Sequence, residues 1–145
     1  MILNCRTIAA SFALLVMSAF TSAVGAQEIS AAHPEKVTPL FKQAMPNVPG
    51  KSLIAVEVSF PPGAAASPHT HPASAFLYAY VLSGEIVSAV NDEKPRVFRA
   101  GESWSEAPGA RHPVTRNPSK TTAAKLLVVF ITNSDEHQLV LPDRK

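Results

Sequence analysis

Between Leu53 and Thr132 the chain is a succession of short runs, each too brief for a helix and most of them stopped by glycine or proline. Ile54, Val56, Val58 and Phe60 alternate with the polar Glu57 and Ser59, which is the period of a half-buried strand. Pro61-Pro62-Gly63 ends that run. A second strand carries His69 and His71 and stops at Pro72. Phe76 to Leu82 forms a third, and Glu85 to Val90 returns after the turn at Ser83-Gly84. Asn91 to Lys94 signals a tight turn, after which Arg96 to Arg99 pairs back. Ser103 to Glu106 and His112 to Arg116 are further strands separated by Pro108-Gly109, and Lys125 to Thr132, the most apolar run, is expected at the centre of a sheet. Short strands at even spacing without a long helical pattern predict an all-β sandwich or barrel.

The flanks differ from this body. Residues 27–50 are polar and punctuated by Pro34, Pro39, Pro46 and Pro49. Val37 to Ala44 reads as one short helical turn or an edge strand, with Pro39 limiting its length, and Leu40, Phe41 and Met45 are expected to pack this arm onto the body. After Asn133 the chain is polar until Leu139-Val140-Leu141, which is expected to cover a sheet edge.

Residues 1–26 read as a secretory signal. Arg6 supplies the positive start, Ile8 to Phe20 the apolar run, and Val24-Gly25-Ala26 the small residues before cleavage. The apolar run is short for a membrane span and lacks a stop-transfer flank, so cleavage after Ala26 is expected rather than stable anchoring. The mature protein would then be periplasmic or secreted. Cys5, the one cysteine, leaves with the signal, and no disulfide is expected. The division expected is therefore a signal peptide (1–26), an N-terminal arm (27–50) and one domain (51–145). Loss of Arg6 lowers the formal charge from +2 to +1, and no Lys/Arg cluster of the kind that tracks phosphates is present, so nucleic acid is not an expected partner.

The chemistry-bearing stretch is His69-Thr70-His71-Pro72, echoed at Pro108-Gly109-Ala110-Arg111-His112. Residues two apart on a strand point the same way, so His69 and His71 aim two imidazoles into one space, and a strand crossing the same sheet can bring His112 alongside. Three converging imidazoles suit a metal. The plainer alternative is that His69 and His71 are solvated loop residues and that His112 caps a turn. His33 and His137 lie in polar terminal segments and are expected to be exposed and unrelated.

These residues resemble a known family. Gly63-x5-His69-x-His71, followed by a run ending at Gly84, is similar to the first motif of the cupins. Gly101-x6-Pro108-Gly109-x2-His112, followed by Asn117, is similar to the second. The resemblance spans about Val48 to Ile131, that of a small, single-domain, type-2-like cupin. It implies a jelly-roll barrel (a double-stranded β-helix) holding a divalent metal through His69, His71 and His112, with Fe, Mn, Zn, Cu and Ni all compatible. It also implies a small-molecule ligand or substrate and, because cupins often pair through sheet edges, a homodimer.

Two departures stand out. Proline and glycine are adjacent at Pro108-Gly109 where the family separates them, with Asn117 one residue late. The glutamate that the first motif normally adds as a fourth ligand is missing: the candidate positions hold Ala75, Phe76 and Leu77. Glu106 or Glu57 could replace it from a neighbouring strand, their orientation being open. Glu102 and Glu106 are also open to a role in orienting imidazole N–H groups, or to being polar turn residues. Phe76, Tyr78, Tyr80 and Trp104 line a pocket or belong to the core or sheet surface. Arg96 and Arg99 read as a solvated strand face, and Arg111 as the better candidate for reaching an anionic ligand.

Function is less determined than fold. The first expectation is an exported metal-binding cupin whose three-histidine site takes a small molecule, as an oxygenase-like enzyme. The second is a non-catalytic periplasmic small-ligand or metal-binding module, and the third a metal-free structural barrel. No nucleophile–base pair or phosphate-cradling loop favours a hydrolase or nucleotide role.

Overall fold

The computed structural model describes residues 34–143, which contain strands and turns and no helix; the signal segment and His33 lie outside the described residues. The strands are β1 (Lys36–Ala44), β2 (Lys51–Phe60), β3 (His69–Thr70), β4 (Phe76–Ser83), β5 (Glu85–Ala89), β6 (Arg96–Arg99), β7 (Ser103–Glu106), β8 (Arg111–His112), β9 (Val114–Arg116), β10 (Ala124–Asn133) and β11 (Leu141–Pro142). All pairings are antiparallel and make three sheets, ordered β1-β2-β10-β4-β7, β11-β3-β8 and β6-β5-β9. The all-β expectation is met, but among the described residues the three sheets are not hydrogen-bonded into one closed barrel.

The large sheet sets up the interior. β10 is central, between β2 and β4, as its apolar run predicts. Directly opposed residues of antiparallel strands share a face. One rung therefore runs Ile54, Phe130, Leu77, Glu106, and the next runs Val56, Val128, Ala79, Trp104. The apolar members of these rungs, with Phe60, Val81, Leu126, Ile86 and Phe98, form the core. Glu106 is the one carboxylate in the first rung, on the same inward face.

Three sequence expectations need correction. Val37 to Ala44 takes the edge-strand alternative of its two readings, but in a strand of nine residues, longer than Pro39 was expected to allow. Pro39 does not shorten it, because the register shifts between Pro39 and Phe41 and an edge strand leaves one side of its backbone unpaired. Leu40 and Phe41 do not pack the arm down: every residue of β1 is exposed, and the ladder to β2 holds it, while Met45 is half-buried. The strand expected at 112–116 breaks in two at Pro113, whose missing N–H interrupts the ladder, so β8 joins β3 while β9 joins β5.

Two motif residues have clear structural duties. Gly84 has φ of +73°, and a Cβ there would lie 2.8 Å from the carbonyl oxygen of Ala123, so no other residue fits the β4–β5 turn. The buried Asn117 side-chain amide donates to the carbonyls of Phe60, Pro61 and Thr122 at 3.1, 3.1 and 2.8 Å, while its Oδ1 accepts from Ser119 N–H at 3.0 Å. It ties the end of β2 to the loop before β10.

Candidate metal centre

The two-residue strands β3 and β8 pair His69 with His112, which sends both imidazoles to one face. His71 follows β3, two residues after His69, and its backbone N–H donates to the carbonyl of Ala110 at 3.0 Å. The ring centroids lie 4.9 Å apart for His69–His71, 5.3 Å for His69–His112 and 6.3 Å for His71–His112. One ligand nitrogen of each lies within 4.8 Å of those of the other two. His71 and His112 are buried and His69 is half-buried. The histidines brought together by spacing in the sequence are together in space.

Backbone carbonyls set the ring tautomers. Nδ1 of His71 lies 2.7 Å from the carbonyl oxygen of Leu139, and Nδ1 of His69 lies 2.8 Å from that of Ser67. A carbonyl only accepts, so in the neutral rings Nδ1 carries the proton and Nε2 the lone pair that a metal needs. In His112 the hydroxyls of Ser88 and Thr115 both lie 2.9 Å from Nε2, leaving Nδ1 toward Glu106. Burial lowers the pKa of His71, partly opposed by the Leu139 carbonyl. Burial, then the neighbouring His69 and His71, brings His112 down to about 3. Both rings are thus held in the neutral, ligating form at neutral pH.

Glu106 enters the same space from β7. It is 1% exposed. Trp104 Nε1–H donates to its Oε1 at 3.0 Å, His112 Nδ1 lies 3.2 Å from Oε1, and His71 Nε2 lies 3.4 Å from Oε2. Burial raises its pKa against the opposing effects of the Trp104 hydrogen bond and of His69. Oε2 of Glu106 and Nε2 of His71 are buried without a hydrogen-bond partner among the described residues. Such orphans are rare in folded proteins, and two facing acceptors call for something positive between them. The residues present therefore fit a metal cation.

The cluster lines one end of a cavity of about 130 Å³ whose walls are otherwise mostly apolar, including Val56, Phe60, Leu126, Phe130 and Leu139. No lysine or arginine lines it among the described residues. Of the four aromatics considered from sequence, Trp104 alone reaches the cavity, while Phe76 and Tyr78 point outward from β4 and are exposed. Glu57 faces away and pairs with Lys125 at 2.9 Å, so it is not the replacement carboxylate. Glu102 is a turn residue, accepting from the Arg99 backbone N–H at 2.6 Å. Arg111 does not reach into the cavity: its guanidinium binds Asp143 at 2.6 Å. Arg99 pairs with Glu85, and Arg96 lies over the Phe98 ring, both at the surface as expected. His137 is exposed. The inward placement of Glu106 had a sequence signal: it shares β7's period with Trp104, while Ser103 and Ser105 take the other face.

Comparison with known proteins agrees with this architecture. A family profile described as Cupin domain matches residues 56–130. No curated protein matches the sequence. Among solved structures, the chain is similar to TT1209 from Thermus thermophilus (29% identity, TM-score 0.55, covering 68% of this chain and 84% of that one). It is similar to an oxalate oxidase in complex with the substrate analogue glycolate (29%, 0.55, 74% of this chain) and spans 54% of that protein's length. It is also similar to the DMSP lyase DddQ from Ruegeria pomeroyi (26%, 0.53, covering 64% of this chain and 45% of that one). With the profile covering half the chain and the sheets arranged as described, the protein belongs to the cupin family and has an all-β, cupin-type jelly-roll fold.

Proposed function

We propose that this protein is an exported metal-binding cupin in which His69, His71 and His112 hold a divalent transition metal that engages a small molecule in the adjoining cavity. The observation that carries the reading is the convergence of three imidazoles on one end of an apolar cavity, two of them with backbone carbonyls fixing their protons away from the centre. Bound there, a metal supplies Lewis acidity and, if redox-active, a route to oxygen chemistry. The protein's part is to present nitrogen donors and keep the rings oriented. The resemblance to an oxalate oxidase supports oxygenase-like turnover in place of a purely binding role.

The lining narrows the small molecule. A cavity of about 130 Å³ is slightly smaller than the roughly 150 Å³ that holds a benzene ring. With no Lys or Arg on the wall, a second anionic group on the ligand has no counter-charge. The expected ligand has one polar end that meets the metal and a small apolar body against Phe60, Leu126 and Phe130. Arg111, engaged by Asp143, contributes nothing to its recognition.

The test is the metal content of the mature protein, purified without a histidine tag, beside the His69→Ala/His71→Ala variant. Near-stoichiometric metal in the wild type and none in the variant is expected; a wild type that stays empty after reconstitution with Fe, Mn, Zn, Cu and Ni contradicts it. Export has its own test. The mass of the protein from the periplasm or medium is expected to correspond to a chain starting at Gln27, and the uncleaved mass contradicts cleavage.

A further inference from the structure

We infer that Glu106, reaching the centre from β7, is the carboxylate ligand that completes the three-histidine site. This rests on the metal reading above. It starts from the two orphaned atoms: Glu106 Oε2 and His71 Nε2 face each other at 3.4 Å, both buried, both acceptors when the acid is ionised, neither with a partner among the described residues. A proton would bridge that single pair alone, whereas the ligand nitrogens of His69, His71 and His112 all lie within 4.8 Å of one another. A cation serves all of them together. Neighbouring ligand atoms around a tetrahedral centre with bonds of about 2.1 Å stand about 3.4 Å apart. The separation of Glu106 Oε2 from His71 Nε2, 3.4 Å, matches that spacing, and the carboxylate's other oxygen lies 3.2 Å from His112 Nδ1.

The surroundings aim the carboxylate. Trp104, two residues earlier on the same face of β7, donates its Nε1–H to Oε1 at 3.0 Å, which turns Oε2 toward His71. The ladder explains how a carboxylate comes to stand here. Leu77, one of the positions where the first motif's acid was sought, is the direct cross-strand partner of Glu106. A side chain from Glu106 projects from the same rung and the same inward face as one from Leu77. The acid has moved one strand across the sheet rather than vanished. A centre built this way carries three neutral donors and one negative one, which lowers the net charge on a bound divalent ion to +1.

The experiment loads Co(II) into the wild type, Glu106→Gln and the control Glu57→Gln, and reads affinity by chelator competition and ligand set by the visible absorption bands. Expected is a loss of affinity of about ten-fold or more in Glu106→Gln, with altered bands, and no change in Glu57→Gln. Unchanged affinity and bands in Glu106→Gln overturn the inference. Weakened affinity with wild-type bands overturns it too, since Glu106 would then act only by holding the histidines. If circular dichroism shows Glu106→Gln unfolded, Glu106→Asp, which keeps the charge but withdraws it by one methylene, is judged by the same two readouts. A wild type that takes up no Co(II) sinks the metal reading itself, an outcome distinct from a wild type that binds and a Glu106 variant that binds equally well.

Discussion

Asn117 and Glu106 are both almost fully buried polar side chains, at 2% and 1% exposure, yet they are treated in opposite ways by the fold. Asn117 is satisfied on both its amide nitrogen and its oxygen, by Phe60, Pro61, Thr122 and Ser119. Glu106 is satisfied on one oxygen, by Trp104, and its other oxygen faces an equally unpartnered histidine nitrogen. A buried polar group that is fully bonded locks a loop; one left half-bonded beside three histidines leaves an acceptor that the fold itself does not satisfy. The contrast separates a residue that maintains the fold from one at the proposed metal site.

The largest expected effect lies on the structural side. Asn117→Ala should cost about 3 kcal/mol in urea unfolding, since it removes the hydrogen bonds that tie the end of β2 to the loop before β10, and the loss should be the same with and without metal. A loss that disappears on adding metal would tie Asn117 to the proposed metal site instead. Next comes the metal itself. At a free concentration of 100 times its dissociation constant, it should stabilise the wild type by about 2.7 kcal/mol, and this gain should vanish in His69→Ala/His71→Ala. A gain that survives the double variant would move the site elsewhere.

Acid should also divide the two residues. In the metal-free protein His71 and His112 have pKa values below the ordinary 6.5, so the unfolded chain takes up protons first as the pH falls. The stability they contribute is complete above about pH 6.5 and is lost below it, for His112 down toward pH 3. Glu106 has the reverse sign: with a raised pKa it lowers stability as the pH rises past the ordinary carboxylate value of 4.5. Two histidines against one acid should make the net effect a loss of stability between pH 6.5 and 5, measured by urea unfolding at each pH. Asn117→Ala should show that same slope, because nothing in its network titrates.

A smaller and opposite effect is expected from Glu106→Gln in the metal-free protein, which should be as stable as the wild type or more so by up to about 1 kcal/mol. It removes an ionisable group from a dry site and supplies an amide N–H to face His71. A loss comparable to that of Asn117→Ala would erase the distinction between the two residues. The smallest belongs to the rim: Arg111→Ala breaks a partly exposed pair with Asp143 and should change stability by less than about 1 kcal/mol, leaving metal affinity unaltered.

How much of this was legible in the sequence follows from the range of the forces involved. Alternation along Leu53–Phe60 and the apolar run at Lys125–Thr132 are local patterns, and they marked β2 and the central β10 correctly. The spacing of His69, His71 and His112 carried the cluster, because a two-residue period is a statement about direction. The length of β1 was hidden, since Pro39 is tolerated only by virtue of being at an edge, which is a property of the sheet. The break at Pro113 was written in the sequence, but the two different sheets that its flanking strands join were not. Contacts between residues far apart were the least legible: the Leu139 carbonyl that fixes His71, and Asp143, which takes Arg111 away from any anionic ligand. Glu106 lies between these cases, its direction implied by Trp104 and its neighbours supplied only by the fold.

The central claim, a metal held by His69, His71 and His112, is tested most directly by anomalous diffraction from crystals of the metal-loaded protein. The account predicts one strong peak at about 2.0–2.2 Å from a nitrogen of each of the three histidines. A peak at the exposed His137 alone, or none at the cluster in protein that carries stoichiometric metal, would contradict it.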